Sequence, residues 1–359
     1  MDAKHAGHRS GPEPSGAVGT AEGGFQGAQE RQRILELGIS LWAFSAVAGA
    51  LEGGILDELA TPQTPVQISE RTGSSAALIQ AALDVLAALD LVRVTGNAYV
   101  CAPGMSIYAS GRPKEIVCAD LRATRLMAAE LSERFRAGGA STQGWCYSDP
   151  ALLEAWGMRS VEPVAVWAER LFPTLEGLFD ALEAPTASFL DVGTGVGRVA
   201  IAMCRRFSNL RVVGIDPFET ALELARHNIV EAGLAGRITL RPEPVQDLID
   251  ENCYDLAWVP VMFLPADVAA EGLQRVCAAL RPGGWAVLGS LAAEGGELQP
   301  AVLRLVSLLF GSGSLFPNDA AEMLDAAGYE KIRVLPAMPS IPIRTIIGRR
   351  PATGVLHSD

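Results

Sequence analysis

Cysteine pairs, histidine clusters and basic runs are all missing from this sequence, and each absence removes a class of function. The six cysteines, Cys101, Cys118, Cys146, Cys204, Cys253 and Cys277, stand far apart, with none in a CxxC or Cys/His group. That pattern argues against a zinc site or a disulfide framework and for the reduced, mostly buried thiols of an intracellular chain. Of the four histidines, His5 and His8 lie in the N-terminal segment, His227 falls on a surface helix position and His357 lies near the C-terminus. The folded region offers no His/Asp pair at ligand spacing, so no metal is expected. Lys and Arg number 29 against 41 Asp and Glu, giving a formal net charge of -12. This field repels phosphate backbones, so no nucleic-acid partner is expected, while a cationic ligand meets no opposition. The longest apolar run, residues 39–55, is broken by Gly49, Glu52, Gly53 and Gly54. It reads as a core helix, with no membrane association expected. Residues 1–24 are rich in Gly, Ser, Pro and His and lack the apolar stretch of a secretory leader. They are expected to form a disordered tail of a cytoplasmic protein.

What remains is ample apolar material, 49% of 359 residues, enough for two structured domains. Apolar residues recur at helical spacing in residues 31–60, first Ile34, Leu37, Leu41 and Phe44, then Ala48, Leu51, Ile55 and Leu59, predicting two helices. After a Pro-rich turn, a short helix is expected at residues 66–71 and a second at 75–89, with Leu78, Ala82, Val85 and Leu89 as its apolar face. Residues 91–94 and 98–100 flank Thr95-Gly96-Asn97 and predict a β-hairpin. Helix, turn, helix and hairpin form a winged-helix pattern. Between Leu51 and Val92 the only basic residue is Arg71, and the would-be recognition helix carries Asp84. A groove-reading helix needs bases to meet phosphates, so packing or dimerisation is the better reading of this unit.

Residues 113–136 and 149–183 predict a helical middle split by Gly138-Gly139-Ala140-Ser141. Aromatics concentrate there: Trp145, Tyr147, Trp156, Trp167 and Phe172. Most are expected in the core, some in a pocket. From Ala187 short apolar runs alternate with amphipathic helices, the signature of a parallel sheet covered on both faces. The runs are residues 189–192, 212–215, 238–240, 256–259 and 286–289, with two closing strands near 330–335 and 343–347. The fold class is therefore α/β, a Rossmann-like, doubly wound, mostly parallel sheet with an N-terminal helical winged-helix domain. The expected divisions are a tail at 1–29, a winged-helix-like domain at 30–110, a helical connector and cover at 111–184, the ligand-binding sheet domain at 185–350 and a tail at 351–359.

The chemistry concentrates in Asp191-Val192-Gly193-Thr194-Gly195-Val196-Gly197, which follows a buried strand and opens a helix. Glycines let the backbone turn tightly and a ligand approach it closely. A dinucleotide site would space them GxGxxG around a pyrophosphate. Here the spacing is GxGxG, and an aspartate precedes it by two residues, which suits a ligand carrying positive charge. Asp216 ends the next strand in Val213-Gly214-Ile215-Asp216-Pro217, where a carboxylate can accept both hydroxyls of a ribose.

These motifs, with Leu280-Arg281-Pro282-Gly283-Gly284 before a strand, resemble the class I S-adenosylmethionine (SAM)-dependent methyltransferases over residues 187–349. Residues 51–108 resemble the winged-helix dimerisation domain of small-molecule O-methyltransferases. The resemblance implies SAM as cofactor, a small-molecule acceptor in secondary metabolism and a homodimer. It implies that Gly193, Thr194, Gly195 and Gly197 line the amino-acid arm of SAM, with Asp191 acting on its ammonium. Asp216 would hold the ribose, Pro217 and Phe218 would lie near the adenine, and Val259 and Pro260 would also bind the cofactor. Two departures stand out. The family's adenine-facing acid falls on Pro244, leaving Glu243, Val245 and Gln246 as the candidate adenine contacts. The family's histidine base falls near Met262, in a stretch without a titratable group, so Met262 and Phe263 join Trp145 and Tyr147 as substrate-pocket candidates. Tyr147 is also the one candidate catalytic group. Methyl transfer by proximity and desolvation without a histidine base is the leading expectation. A non-methylating lyase or cyclase that releases methylthioadenosine, and a SAM-sensing winged-helix regulator, are the alternatives.

Overall fold

The computed structural model describes residues 21–137, 145, 147–291, 297–312, 315–336 and 343–352. Residues 1–20 and 353–359, the Gly138–Ser141 link and Cys146 lie outside the described residues. The chain divides into two compact units, Met1–Ala109 and Ser110–Asp359. The expected cover segment and the sheet domain thus belong to one unit.

In the first unit, helix α1 (Ala21–Glu52) runs unbroken where two helices were expected and starts inside the expected tail. A 3-10 turn (Leu56–Ala60) leads to α2 (Pro65–Thr72) and α3 (Ala76–Ala88), then to the antiparallel hairpin of β1 (Val92–Thr95) and β2 (Ala98–Cys101). Thr64 caps α2 in a reciprocal box with Gln67, and Gly73 ends the helix in the left-handed conformation at φ 73°. The buried face of α3 is Ile79, Leu83 and Leu86. The predicted face is a residue off: Leu78 and Leu89 are exposed. The core reading of residues 39–55 holds only for the last turn of α1 and the residues after it, where Ala48, Ala50, Leu51 and Ile55 are buried. Upstream, Ile34, Leu37, Ile39, Leu41 and Trp42 are exposed, Trp42 at 78%. Residues 27–52 form a helix long and apolar enough to cross a membrane, with 17% of its most apolar stretch buried. The sole base of residues 52–91, Arg71, is engaged by Glu58 and Gln63.

In the second unit, α4 (Gly111–Ala137), α5 (Pro150–Ser160), α6 (Glu162–Val166) and α7 (Leu178–Glu183) precede the sheet. Alternation then gives β3 (Ser188–Val192), α8 (Arg198–Arg206), β4 (Arg211–Ile215), α9 (Glu219–Glu231), β5 (Ile238–Arg241), β6 (Tyr254–Val259), α10 (Ala266–Ala279) and β7 (Leu280–Leu291). Helices α11 (Leu298–Phe310) and α12 (Pro317–Ala326) lead to β8 (Glu330–Val334) and β9 (Ile343–Arg349). Among the described residues the sheet has seven strands in the order β5-β4-β3-β6-β7-β9-β8. Strands β3 to β7 are parallel, and β9 runs antiparallel to both β7 and β8.

The central stretches of the parallel strands are mostly apolar because helices cover both faces. Phe189, Trp258 and Trp285 join one core layer with Phe172 and Phe207, while Leu190, Val259 and Leu288 join the other with Leu273 and Leu324. Strand order reverses at β3, whose neighbours are β4 on one side and β6 on the other. In open α/β sheets the crevice at the carboxyl ends of such strands is the ligand site.

Candidate active site

At that switch point lies a cleft of about 280 Å³, walled by the glycine bend after β3, the turns after β4, β5 and β6, and one side of α5. Gly193 and Gly195 adopt φ of 60° and 53°, conformations glycine enters without steric cost. A Cβ on Gly193 would sit 3.4 Å from Pro260 Cγ across the cleft mouth. The third glycine corrects the sequence reading. Gly197 does not line the cleft; a Cβ there would meet Ala225 at 3.3 Å and Ile229 at 3.5 Å, so it brings α8 close to α9.

Asp191 is 1% exposed, and its Oδ2 accepts the Thr194 hydroxyl at 2.7 Å. Burial pushes its carboxyl up to about 7. The Thr194 hydrogen bond opposes the rise and nearby Asp216 adds to it. Burial also raises Asp216, opposed by backbone donors: Gly195 N–H reaches Oδ2 and Phe218 N–H reaches Oδ1, each at 2.9 Å. Asp216 thereby ties the glycine bend to the turn after β4. Each carboxylate oxygen retains a second acceptor site for a ligand.

The turn after β5 separates the adenine candidates. Glu243 is held by Arg241, which also pairs with Asp250 at 2.6 Å. Gln246 lines the cleft, and its Oε1 is buried with no hydrogen-bond partner among the described residues, so the amide has an open acceptor. Val245 is buried and also lines the cleft, as do Pro217 and Phe218. Val259 does not. Side chains alternate along a strand, so Trp258, which lines the cleft, joins one core layer and Val259 the other, whose Val192, Ile215 and Val245 also reach the cleft.

The acceptor end is aromatic. Trp145, Trp156, Met262 and Phe263 line it, and Trp145 and Phe263 have ring centroids 4.9 Å apart in an edge-on arrangement. Phe310 of α11, a helix the sequence reading did not identify, stands 5.0 Å from Trp156 and 4.9 Å from Phe263. Tyr147 is not among the lining residues. It is buried behind Trp145 with ring centroids 4.7 Å apart, which removes it from the position of a base.

Helix α5 belongs to the segment expected as a cover, and it also braces the glycine bend. Its Glu154 accepts Arg198 Nη2 at 2.8 Å and Asn228 Nδ2 at 2.7 Å. Asn228 Nδ2 also reaches the Val196 carbonyl at 3.0 Å. One carboxylate therefore fastens α5 to the glycine bend, α8 and α9. Contact is so close at Gly157 that a Cβ there would lie 2.2 Å from Val196 Cγ2. The sequence signals were present but unconnected: a glycine inside a helix, and an arginine directly after the glycine motif.

A buried acid at a GxGxG bend, a second acid ending β4 and an antiparallel seventh strand inserted beside a parallel sheet define the class I SAM-dependent methyltransferase fold. A family model described as "Methyltransferase domain" matches residues 189–284, so this stretch of the chain is a methyltransferase domain. A release factor glutamine methyltransferase of Cereibacter sphaeroides is 32% identical over 190 residues, covering 50% of this chain and 66% of that protein. An O-methyltransferase family protein from Burkholderia thailandensis superposes with a TM-score of 0.65 at 18% identity, covering 90% of this chain and 98% of that one. Human N-acetylserotonin methyltransferase in complex with SAM superposes with a TM-score of 0.62 at 16% identity, covering 90% and 98%. The chain spans between 24% and 66% of the length of the curated relatives it matches.

Proposed function

We propose that the chain is a SAM-dependent methyltransferase acting on a small molecule in secondary metabolism, without a histidine base. The observation that carries this reading is the pair Asp191 and Asp216 flanking the glycine bend at the switch point. The residues present fit the cofactor. A buried carboxylate suits an ammonium, a strand-end carboxylate suits a ribose, and an open amide acceptor at Gln246 suits the adenine amino group. SAM, when bound, supplies an activated methyl group on a cationic sulfur. The protein supplies alignment and a dry, aromatic wall.

The curated relatives it matches include C-, N- and RNA methyltransferases, which supports methyl transfer over a lyase or cyclase use of SAM. The net charge and the pairing of Arg71 speak against a DNA-binding regulator. Mass spectrometry of the full chain with SAM and an acceptor panel is the test. S-adenosylhomocysteine and a product heavier by one methyl are expected. Methylthioadenosine formed without acceptor would sink the reading in favour of the lyase.

The exposed apolar side of α1 supports a homodimer in which a second copy of this chain covers it, through the helix–helix–hairpin unit acting as a winged-helix dimerisation module. Exposed patches of this kind mark interaction surfaces. Light scattering at micromolar concentration should give twice the chain mass, and Leu41→Glu with Trp42→Glu should halve it. A monomeric wild type, or partition of the chain into lipid vesicles, contradicts the dimer.

A further inference from the structure

Arg198 is the sole cation among the described residues that line the cleft, and SAM carries a positive charge on its sulfur. The arginine directly follows the glycine bend and is the first residue of α8. Aligned peptide dipoles make that end of a helix positive, so a cation there is disfavoured by the helix it opens. It also repels a cationic ligand held by the same bend. The chain therefore places a positive charge where the cofactor tolerates one least.

Two side chains answer that charge and close a ring with it. Glu154 Oε2 accepts both Arg198 Nε at 3.2 Å and Arg198 Nη2 at 2.8 Å. The same Nη2 reaches Asn228 Oδ1 at 3.1 Å, and Asn228 Nδ2 returns to Glu154 Oε1 at 2.7 Å. Asn228 is buried, and its Nδ2 also holds the Val196 carbonyl, which anchors the ring to the bend. The arginine stem runs against α5, where a Cβ on Gly157 would stand 3.1 Å from its Cγ. The guanidinium is thus drawn toward α5 and α9, with Nε and Nη2 both committed. The side chains of Glu154 and Arg198 are 30% and 28% exposed. A pair this open to water adds little to the stability of the fold, so the ring needs another account.

Resting on the methyltransferase reading above, we propose that Glu154 is a positioning residue that acts through Arg198. It neutralises and draws aside the cation beside the cofactor loop. The carboxylates of the cleft are then left to favour the sulfonium of SAM over the neutral thioether of S-adenosylhomocysteine. The two ligands share the adenosine and the amino-acid arm and differ by one methyl group and one positive charge. A disturbance of the glycine bend, the ribose contact or the adenine wall weighs on both alike. An uncompensated charge at position 198 weighs on the sulfonium alone. Methyl transfer removes that charge, so the same device lowers the hold of the cleft on its product.

The test is calorimetry of the full chain with SAM and with S-adenosylhomocysteine, and it needs no acceptor. Glu154→Gln keeps the shape of the side chain and releases the charge of Arg198. It should weaken SAM by about tenfold more than S-adenosylhomocysteine, the effect of a like charge across a cleft of this size. The amide also turns a donor toward the donors of Arg198 or Asn228, a cost that falls on both ligands and cancels in their ratio. Arg198→Met removes the cation and leaves Glu154 uncompensated, so the ratio should move the opposite way, toward SAM, by a similar factor. The double variant should return the ratio close to that of the wild type. Should Glu154→Gln fail to fold, Arg198→Met carries the test alone. Equal weakening of both ligands in Glu154→Gln makes the ring a brace only and overturns the proposal. So does a ratio that Arg198→Met leaves unmoved or shifts toward S-adenosylhomocysteine. Absence of SAM binding in the wild type fails the methyltransferase reading itself, a separate outcome.

Discussion

Asp191→Asn should stabilise the ligand-free chain and at the same time weaken SAM binding by about a hundredfold. The carboxyl is fully buried and ionises at about 7 in the fold, against 3.8 when unperturbed. Below 3.8 it is protonated in both folded and unfolded chains and contributes nothing to the difference. Between 3.8 and 7 the unfolded chain ionises it while the fold keeps it neutral, so its cost to the fold grows with pH. Above 7 the cost is complete, at most on the order of 4 kcal/mol. Asparagine keeps an acceptor for Thr194 and removes the charge. The gain should appear as a thermal midpoint higher by roughly 5–10 °C at pH 8, shrinking toward pH 4. Wild-type SAM affinity should rise from pH 6 to about 7.5 as Asp191 ionises. Above about 8 the ligand's own amino group loses its proton. The variant should show a flat profile over the same range. Calorimetry and melting curves across pH check both halves, and a variant that melts lower or binds SAM normally contradicts the role given to Asp191.

Gly157→Ala should cost SAM affinity by about 10- to 100-fold through a single methyl group. The new Cβ would fall 2.2 Å from Val196 Cγ2 and 3.1 Å from Arg198 Cγ. Val196 is buried and its branched side chain is stiff at χ1, so it cannot step aside. Helix α5 must lift off the glycine bend, straining the link from Glu154 to Arg198 and Asn228. Overpacking of this size costs about 1–3 kcal/mol, here concentrated at the cofactor loop. Adding Val196→Ala should restore most of the lost affinity by clearing the space. Full SAM affinity in the single variant, or no recovery in the double, would show that α5 does not set the loop.

The parts legible in the sequence are those that report on their own surroundings. Residues 212–215 and 256–259 are apolar throughout, and 189–192 apart from Asp191, because strands buried on both faces must be, and the glycine bend with Asp191 and Asp216 declares a tight turn beside two acids. Parity was harder. In α3 both Leu78-Ala82-Val85-Leu89 and Ile79-Leu83-Leu86 make apolar stripes, and only packing selects the second. In β6 Trp258 lines the cleft and Val259 does not, which composition cannot show. Helix α11 has no capping side chain at its start, the signal that marks α2 and α5. The acceptor wall was half visible: aromatic content around Trp145 was plain, but the choice of Trp156 over Tyr147 depends on which ring faces the cavity. The bonds from Glu154 to Arg198 and Asn228 span 44 and 74 residues, a separation over which local pattern carries no information.

Strand β9 comes after β8 in the chain yet lies between β7 and β8 in the sheet. Its Ile343, Ile346 and Ile347 are buried, and its seven residues pair along β7 from Trp285 to Leu291. Until those residues leave the ribosome, β7 presents an unpaired, apolar edge, the kind of template that recruits other chains. The cofactor strands β3 to β6 can assemble earlier. Pairing of β9 closes that edge, so aggregation through β7 is expected only while β9 is unpaired.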